Sequence, residues 1–119
     1  MKVVVSAEGR DLESRVDERF GRAAYLLLVD TESLEFEVIN NAPNTAAVQG
    51  AGIQAASAIA ATPCEAVISG NVGPKGFATL EKAGIATYRT GDVTVREALG
   101  AFKRGELERQ QGATVRGHW

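Results

Sequence analysis

Cations and glycines are the residues of this sequence best suited by type to hold a ligand. They occur together in three short stretches of the chain. Arginine, lysine and backbone N–H groups bind anions through charge-assisted hydrogen bonds, so the three stretches predict an anion-binding site. Their members are Arg19, Phe20, Gly21 and Arg22 in the first stretch, Gly50, Ala51 and Gly52 in the second, and Gly70, Asn71, Val72, Gly73, Pro74 and Lys75 in the third.

Each stretch also has a purely structural interpretation. In the first, Phe20 would anchor the loop while the two arginines pair with Asp17, Glu18 or Asp30. In the other two, glycine would serve the geometry of a tight turn or of a closely packed helix start. The third stretch matches neither the P-loop nor the dinucleotide fingerprint, because the glycine spacing and the Lys-Ser/Thr pair are absent. The spacing therefore does not identify a nucleotide as the ligand.

Metal-ligating and catalytic residue types are sparse. Cys64 is the single cysteine, and His118 is the single histidine. A lone cysteine before a strand is usually a small buried apolar residue, so these two residues are only secondary candidates for metal ligation. No Ser/His/Asp set can be placed, and a nuclease would need carboxylates at strand ends where the sequence has Ser6 and Ser69. We therefore expect a protein that is not an enzyme.

The elements predicted from hydrophobic periodicity place these stretches at strand ends and helix starts. Helices are expected from about Gly50 to Ala61, from Pro74 until Gly84, and after a capping box at Thr94. The segment 65–88 forms a strand-helix-strand unit with parallel strands, preceded by an antiparallel hairpin. Five strands are predicted, over residues 2–6, 25–29, 35–39, 66–69 and 85–88. The sequence thus predicts an α/β domain with a five-stranded mixed sheet and flanking helices.

The bulk composition is typical of one globular domain. The chain has 119 residues, of which 45% are hydrophobic, and its formal net charge is -2. This charge gives no general attraction to nucleic acid or to an anionic membrane surface, so neither is an expected partner. No apolar stretch reaches the length of about 18 residues that a transmembrane helix needs, and we expect a cytoplasmic protein.

Four stretches, taken in order, resemble the dinitrogenase iron-molybdenum cofactor biosynthesis family. They read VDERFGRAAYLLLVD, QGAGIQAA, VISGNVGPKGFATLEKAGIATYR and TVREAL followed by GEL. The resemblance extends from Met1 to about Leu107. It predicts one domain over residues 1–107 and a C-terminal tail over 108–119, which has little periodicity and can be disordered.

The resemblance implies a ribonuclease H-like fold without nuclease activity. It also implies noncovalent binding, carriage or scaffolding of an anionic metal-sulfur cluster, of the Mo/Fe or Mo/Cu sulfide type, or of its precursor. The family includes carriers for nitrogenase cofactor assembly and small stand-alone members associated with a molybdenum-copper sulfide cluster. The three stretches named above would be the cluster-facing positions, and cluster-donor or cluster-acceptor proteins would be the partners.

Two features qualify what the resemblance implies. Val48 and Gln49 stand where some members have a histidine, and Cys64 is alone, so direct ligation of iron or molybdenum by side chains is not expected.

The alternative function is a non-catalytic interaction or regulatory module of the same fold. Its contact surface would be the edge strand 35–39 or the tail with Trp119.

Overall fold

A computed structural model describes residues 1–41 and 50–111 of the protein. In the described part of the chain, six strands form one sheet and three helices pack on it. The helices are α1 (Ala51–Ala60), α2 (Pro74–Lys82) and α3 (Val95–Lys103). The strands are β1 (Lys2–Ala7), β2 (Tyr25–Asp30), β3 (Phe36–Asn40), β4 (Ala66–Ser69), β5 (Ala86–Arg89) and β6 (Glu108–Arg109).

The strand order in the sheet is β3-β2-β1-β4-β5-β6. β1, β4 and β5 are parallel to one another, whereas β2 runs antiparallel to β1 and β3 antiparallel to β2. In the register of the sheet, Val4 lies opposite Leu28 of β2 and Val67 of β4. The carboxyl ends of the three parallel strands therefore meet at one edge of the sheet, which is where ligands bind in open α/β sheets.

Both faces of the sheet are covered, which explains why β1 is a continuous apolar run. Because successive side chains of a strand point to opposite faces, Val4 and Val67 pack under α1 and α2. Val3, Val5 and Ile68 pack on the other face under α3. The result is a three-layer arrangement with two hydrophobic cores.

The predicted five-stranded sheet is wrong by one strand, because β6 extends it beyond β5. β6 pairs antiparallel with β5, with Arg109 opposite Tyr88 and Glu108 opposite Arg89. The strand has two residues, both exposed, so it has no hydrophobic pattern by which sequence could detect it. The sheet thus continues past residue 107, while residues 112–119 of the predicted tail lie outside the described residues. The ribonuclease H-like assignment stays a prediction.

The helix starts agree with the predicted signals. α2 begins at Pro74, and α1 begins directly after Gly50, whose positive φ of 79° suits glycine. At α3 the Glu97 N–H donates to Thr94 Oγ1 at 3.1 Å, and the Thr94 N–H donates to Glu97 Oε1 at 2.8 Å. This confirms the capping box.

Candidate functional site

The loop that carries the two arginines is fixed over the carboxyl ends of β1 and β4. We call residues 17–22 the RFGR loop. The Ser6 hydroxyl donates to the Asp17 carbonyl oxygen at 2.7 Å and lies 2.8 Å from the Ser69 hydroxyl. In return, the Asp17 N–H donates to the Ser6 carbonyl at 2.9 Å. The two serines that argue against a nuclease therefore have a structural role, which is to join two strand ends to this loop.

The RFGR loop runs beside the turn formed by residues 70–75. The Phe20 N–H donates to the Asn71 carbonyl at 3.1 Å, and Arg19 forms a parallel bridge with Asn71. The Phe20 ring is 2% exposed and belongs to the same core cluster as Val72, which is 1% exposed. The burial of Phe20 is thus confirmed, and it brings the first and third predicted stretches together.

Close backbone contacts bring the second stretch to the same place. A Cβ atom on Gly21 would lie 2.6 Å from the Gly52 nitrogen, and one on Gly76 would lie 3.2 Å from the Gly52 carbonyl oxygen. The starts of α1 and α2 therefore cross at two glycines, with the RFGR loop against α1. On the other side of the loop, a Cβ atom on Gly70 would lie 2.5 Å from Glu18 Cα. Packing against backbone therefore requires glycine at Gly21 and Gly70, whereas at Gly76 a side chain would need a small shift of α1.

Gly73 differs from these glycines. Apart from its chain neighbours, no atom of residues 1–41 and 50–111 lies within 4 Å of the position a Cβ would take, and its φ of -69° is open to any residue. Neither packing nor backbone conformation therefore requires glycine at this position, which is the N-cap of α2. A glycine here leaves the helix start without a capping side chain, as Gly50 does for α1.

The electrostatics around the two helix starts favour negative charge. The first turns of α1 and α2 contain no acidic residue, in contrast to α3 with Glu97. A helix N-terminus carries about half a positive elementary charge and unpaired N–H donors. Arg19, Arg22 and Lys75 are exposed, and Arg19 Nε lies 3.8 Å from the buried Asp17 carboxylate. A pair of this length with an exposed partner contributes little stability, so the guanidinium group remains available to a ligand.

A cavity of about 430 Å³ opens at the same edge of the sheet, but its lining is acidic, whereas the helix starts are electropositive. Its lining includes Glu8, Glu18 and Asp92, with Asn71 where it meets the 70–75 turn. Three carboxylates oppose the entry of an anion. Within residues 1–41 and 50–111, no three His, Cys, Asp or Glu side chains are arranged so that they could hold a metal ion. The helix starts, and not this cavity, are therefore the candidate anion site.

The secondary metal candidates do not meet this site. Cys64 is buried just before the amino end of β4, whereas the RFGR loop lies at the carboxyl end of that strand. Burial raises the pKa of the Cys64 thiol, so the thiolate that a metal requires is disfavoured. His118, Val48 and Gln49 lie outside the described residues.

Two residues that sequence reasoning missed support the site. Gly76 provides the close approach of α2 to α1, and Gln110 donates from Nε2 to the Val72 carbonyl at 3.0 Å. Gly76 lies next to the predicted stretch and could have been included by its type. Gln110 lies 38 residues from Val72, and no local pattern indicates such a contact.

The fold and the site define a class of protein. The family described as dinitrogenase iron-molybdenum cofactor matches residues 1–105, and the chain belongs to it. The solved structure of the apo form of the orange protein from Desulfovibrio gigas is similar, with a TM-score of 0.92 and 36% identity over 96% of both chains. A NifB-like protein from Thermotoga, solved by NMR, has a TM-score of 0.84 and 38% identity over 98% of both chains.

A relative from an archaeon also matches in sequence. An uncharacterized protein of Methanocaldococcus jannaschii is 31% identical over 99 residues, which are 81% of this chain and 83% of that protein.

Within residues 1–41 and 50–111, no helix combines the length and the apolar character that crossing a membrane requires.

Proposed function

We propose that this protein binds an anionic metal-sulfur cluster or its precursor without covalent ligation, and carries or scaffolds it. The observation that carries the proposal is the meeting of two glycine-capped helix starts beside the exposed arginines of the RFGR loop. Membership of the dinitrogenase iron-molybdenum cofactor family supports a metal cluster as the class of cargo.

The residues present suit such a guest. A thiometallate is a large anion whose sulfur atoms accept hydrogen bonds, and the site offers N–H donors, two guanidinium groups and the Lys75 ammonium group. It offers no thiolate, because the single cysteine lies at the far end of β4. The protein would therefore hold the outer sulfur atoms of a cluster and would not replace them. We assign no catalytic step to it.

Reconstitution tests the proposal directly. Purified protein is mixed anaerobically with tetrathiomolybdate and either Cu(I) or Fe(II), desalted, and measured for visible absorption and metal content. We expect a protein-bound chromophore with a fixed metal ratio. Wild-type protein that emerges colourless and without metal from both mixtures would refute the proposal.

The arginines are tested by substitution with a matched control. Arg19→Gln with Arg22→Gln should weaken retention by about ten-fold, which corresponds to roughly 1.4 kcal/mol. Lys82→Gln removes the same kind of charge from the last turn of α2, at the opposite end of that helix, and should have no effect. Because exposed charges are screened by salt, the difference between wild type and the double variant should shrink as ionic strength rises. Equal losses in all variants would mean that the arginines do not form the site.

A second function is favoured by the edge strand β3. Phe36 and Val38 are 37% and 41% exposed although both are large apolar residues. Exposed apolar side chains on an edge strand are typical of a strand that pairs with a partner. Under this alternative, a variant with Phe36→Ser and Val38→Ser would retain the cluster but lose binding to a cluster-donor or cluster-acceptor protein. Intact partner binding in that variant would exclude β3 as the contact.

A further inference from the structure

Gln110 is a buried polar residue whose side chain reaches the candidate site from the end of the described chain. It is 4% exposed, and its backbone N–H donates to the Thr87 carbonyl at 2.8 Å. Its side chain lies 3.0 Å from the Val72 carbonyl oxygen. A carbonyl only accepts hydrogen bonds, so the amide must present Nε2 and not Oε1 to Val72. We call residues 104–111, which include β6, the C-terminal arm.

This bond sets the orientation of one peptide in the 70–75 turn. In a trans peptide the C=O and the following N–H point in opposite directions. Because Gln110 holds the Val72 carbonyl toward the buried side of the turn, the Gly73 N–H points away from Gln110. The carbonyls of the two neighbouring residues are fixed as well. The Phe20 N–H donates to the Asn71 carbonyl at 3.1 Å, and the Phe77 N–H donates to the Gly73 carbonyl at 2.9 Å. The peptide between Val72 and Gly73 is thus fixed by a side chain from outside its own element.

The turn itself does not prevent this peptide from flipping. A flip rotates ψ of Val72 and φ of Gly73 together, and it would carry the Gly73 φ from -69° to a positive value. Glycine adopts positive φ about as readily as negative φ, and in the described part of the chain no residue beyond its chain neighbours lies within 4 Å of the Cβ position of Gly73. A flipped peptide would direct a carbonyl oxygen, instead of an N–H donor, to the side where the anion is expected.

We propose that Gln110 is a positioning residue that keeps the Val72–Gly73 peptide in the anion-binding orientation. The C-terminal arm then controls how tightly the helix start of α2 holds a negatively charged guest. The effect on the guest rests on the proposed function, whereas the effect on the peptide does not. The two parts can therefore be measured separately.

The peptide is tested in the protein without cargo, by NMR. Gln110→Met keeps the length and the burial of the side chain and removes the donor, and Gln110→Glu replaces Nε2 by oxygen. In Gln110→Met the Gly73 amide should show exchange with a second state whose population rises about five-fold, the factor that corresponds to one neutral hydrogen bond of about 1 kcal/mol. In Gln110→Glu the ionised carboxylate repels the Val72 carbonyl, so the rise should be at least as large. Gln111→Ala, at the exposed neighbour, is the control. Adding Gly73→Ala to Gln110→Met should remove the second state, because alanine disfavours positive φ.

Wild-type protein provides a test that does not depend on the folding of any variant. A Gln110 side-chain N–H that donates to Val72 should exchange with solvent more slowly than the side-chain N–H groups of Gln111. Equal exchange rates, or a Gly73 amide that is unchanged in both Gln110 variants, would overturn the proposal.

The cargo is tested separately with the chromophore formed from tetrathiomolybdate and copper. Gln110→Met should release it about five-fold faster than wild type and Gln111→Ala. Failure of wild type to bind would refute the proposed function while leaving the NMR result to decide the role of Gln110. Normal retention together with a flipped Gly73 peptide would show that this N–H does not face the cargo.

Discussion

At the residue level, the aromatic between two arginines is explained by a division of roles. Phe20 is 2% exposed and fills the core under α1 and α2, while Arg19 and Arg22 are exposed on either side of it. A buried ring fixes the loop, and the loop then presents the guanidinium groups at the sheet edge. The burial of Phe20 could be predicted from sequence, because a large apolar side chain in a polar loop is usually buried against the core.

The glycine of the RFGR loop gives a prediction about stability. Gly21→Ala should lower the free energy of unfolding by about 1–3 kcal/mol, because the new Cβ would meet the backbone of α1 at Gly52. Urea denaturation followed by circular dichroism measures the change. Gly91→Ala is the control, since among the described residues none but its chain neighbours comes within 4 Å of its Cβ position. Equal effects of the two substitutions would show that the loop moves away from α1 at little cost.

The cysteine gives a prediction about reactivity and about ligation. Because burial raises the pKa of the Cys64 thiol, iodoacetamide at pH 8 should alkylate it much more slowly than glutathione in the same buffer. Mass spectrometry of the intact protein follows the reaction. Cys64→Ala should retain the same cluster chromophore as wild type. A colourless Cys64→Ala protein that is still folded would show that the thiol ligates a metal.

At the level of elements, the three helix starts differ in how they are capped. α3 is closed by the Thr94 and Glu97 capping box, whereas α1 and α2 begin at glycines. Sequence patterns identified all three starts, because proline, glycine and the capping box act locally. They did not show that the starts of α1 and α2 touch, because that depends on the contact between Gly52 and Gly76.

The capping box of α3 gives a prediction about pH. Hydrogen bonds from the Thr94 backbone N–H and then from its side chain lower the pKa of Glu97 below 4.5. A lowered folded-state pKa adds stability above the unfolded-state value, and this stability is lost as the pH falls through the folded-state value. Glu97→Gln should therefore lower Tm at pH 7, with a difference from wild type that narrows below about pH 4.5. A constant difference across this range would mean that the charge of Glu97 does not contribute.

For the whole molecule, sequence predicted five of the six strands in the described part of the chain and missed β6, at one edge of the sheet. β1, β4 and the hairpin of β2 and β3 follow from apolar runs and turn residues, and the parallel direction of β4 and β5 follows from the strand-helix-strand unit that joins them. β6 was not predicted, because its partner β5 is not adjacent to it in the chain and because both residues of β6 are exposed. The convergence of the three stretches rests on the same long-range packing, and sequence could suggest it only through the shared edge of the parallel strands.

The contrast between centre and edge gives a prediction about hydrogen exchange. Val3, Val4 and Val5 are fully buried, so the β1 amides should exchange only when the whole domain unfolds. The amide of Gln110 lies on the edge, beside a strand of two residues, and should exchange about 100-fold faster or more by local opening. Native-state hydrogen exchange at low urea concentrations distinguishes exchange by local opening from exchange by global unfolding. Equal protection would mean that the C-terminal arm detaches only on global unfolding.

The pairing of β1 with β4 has a consequence for the order in which the domain assembles. The two neighbours are more than 60 residues apart in sequence, as the pairing of Val3 with Ala66 shows. Pairings between distant segments form late in folding, because a long loop must close first. The RFGR loop is tied to both strand ends through Ser6 and Ser69, so it gains its position only when β4 docks. Under the proposed function, a nascent chain that still lacks β4 would therefore be unable to bind its cargo, and loading would have to follow completion of the sheet.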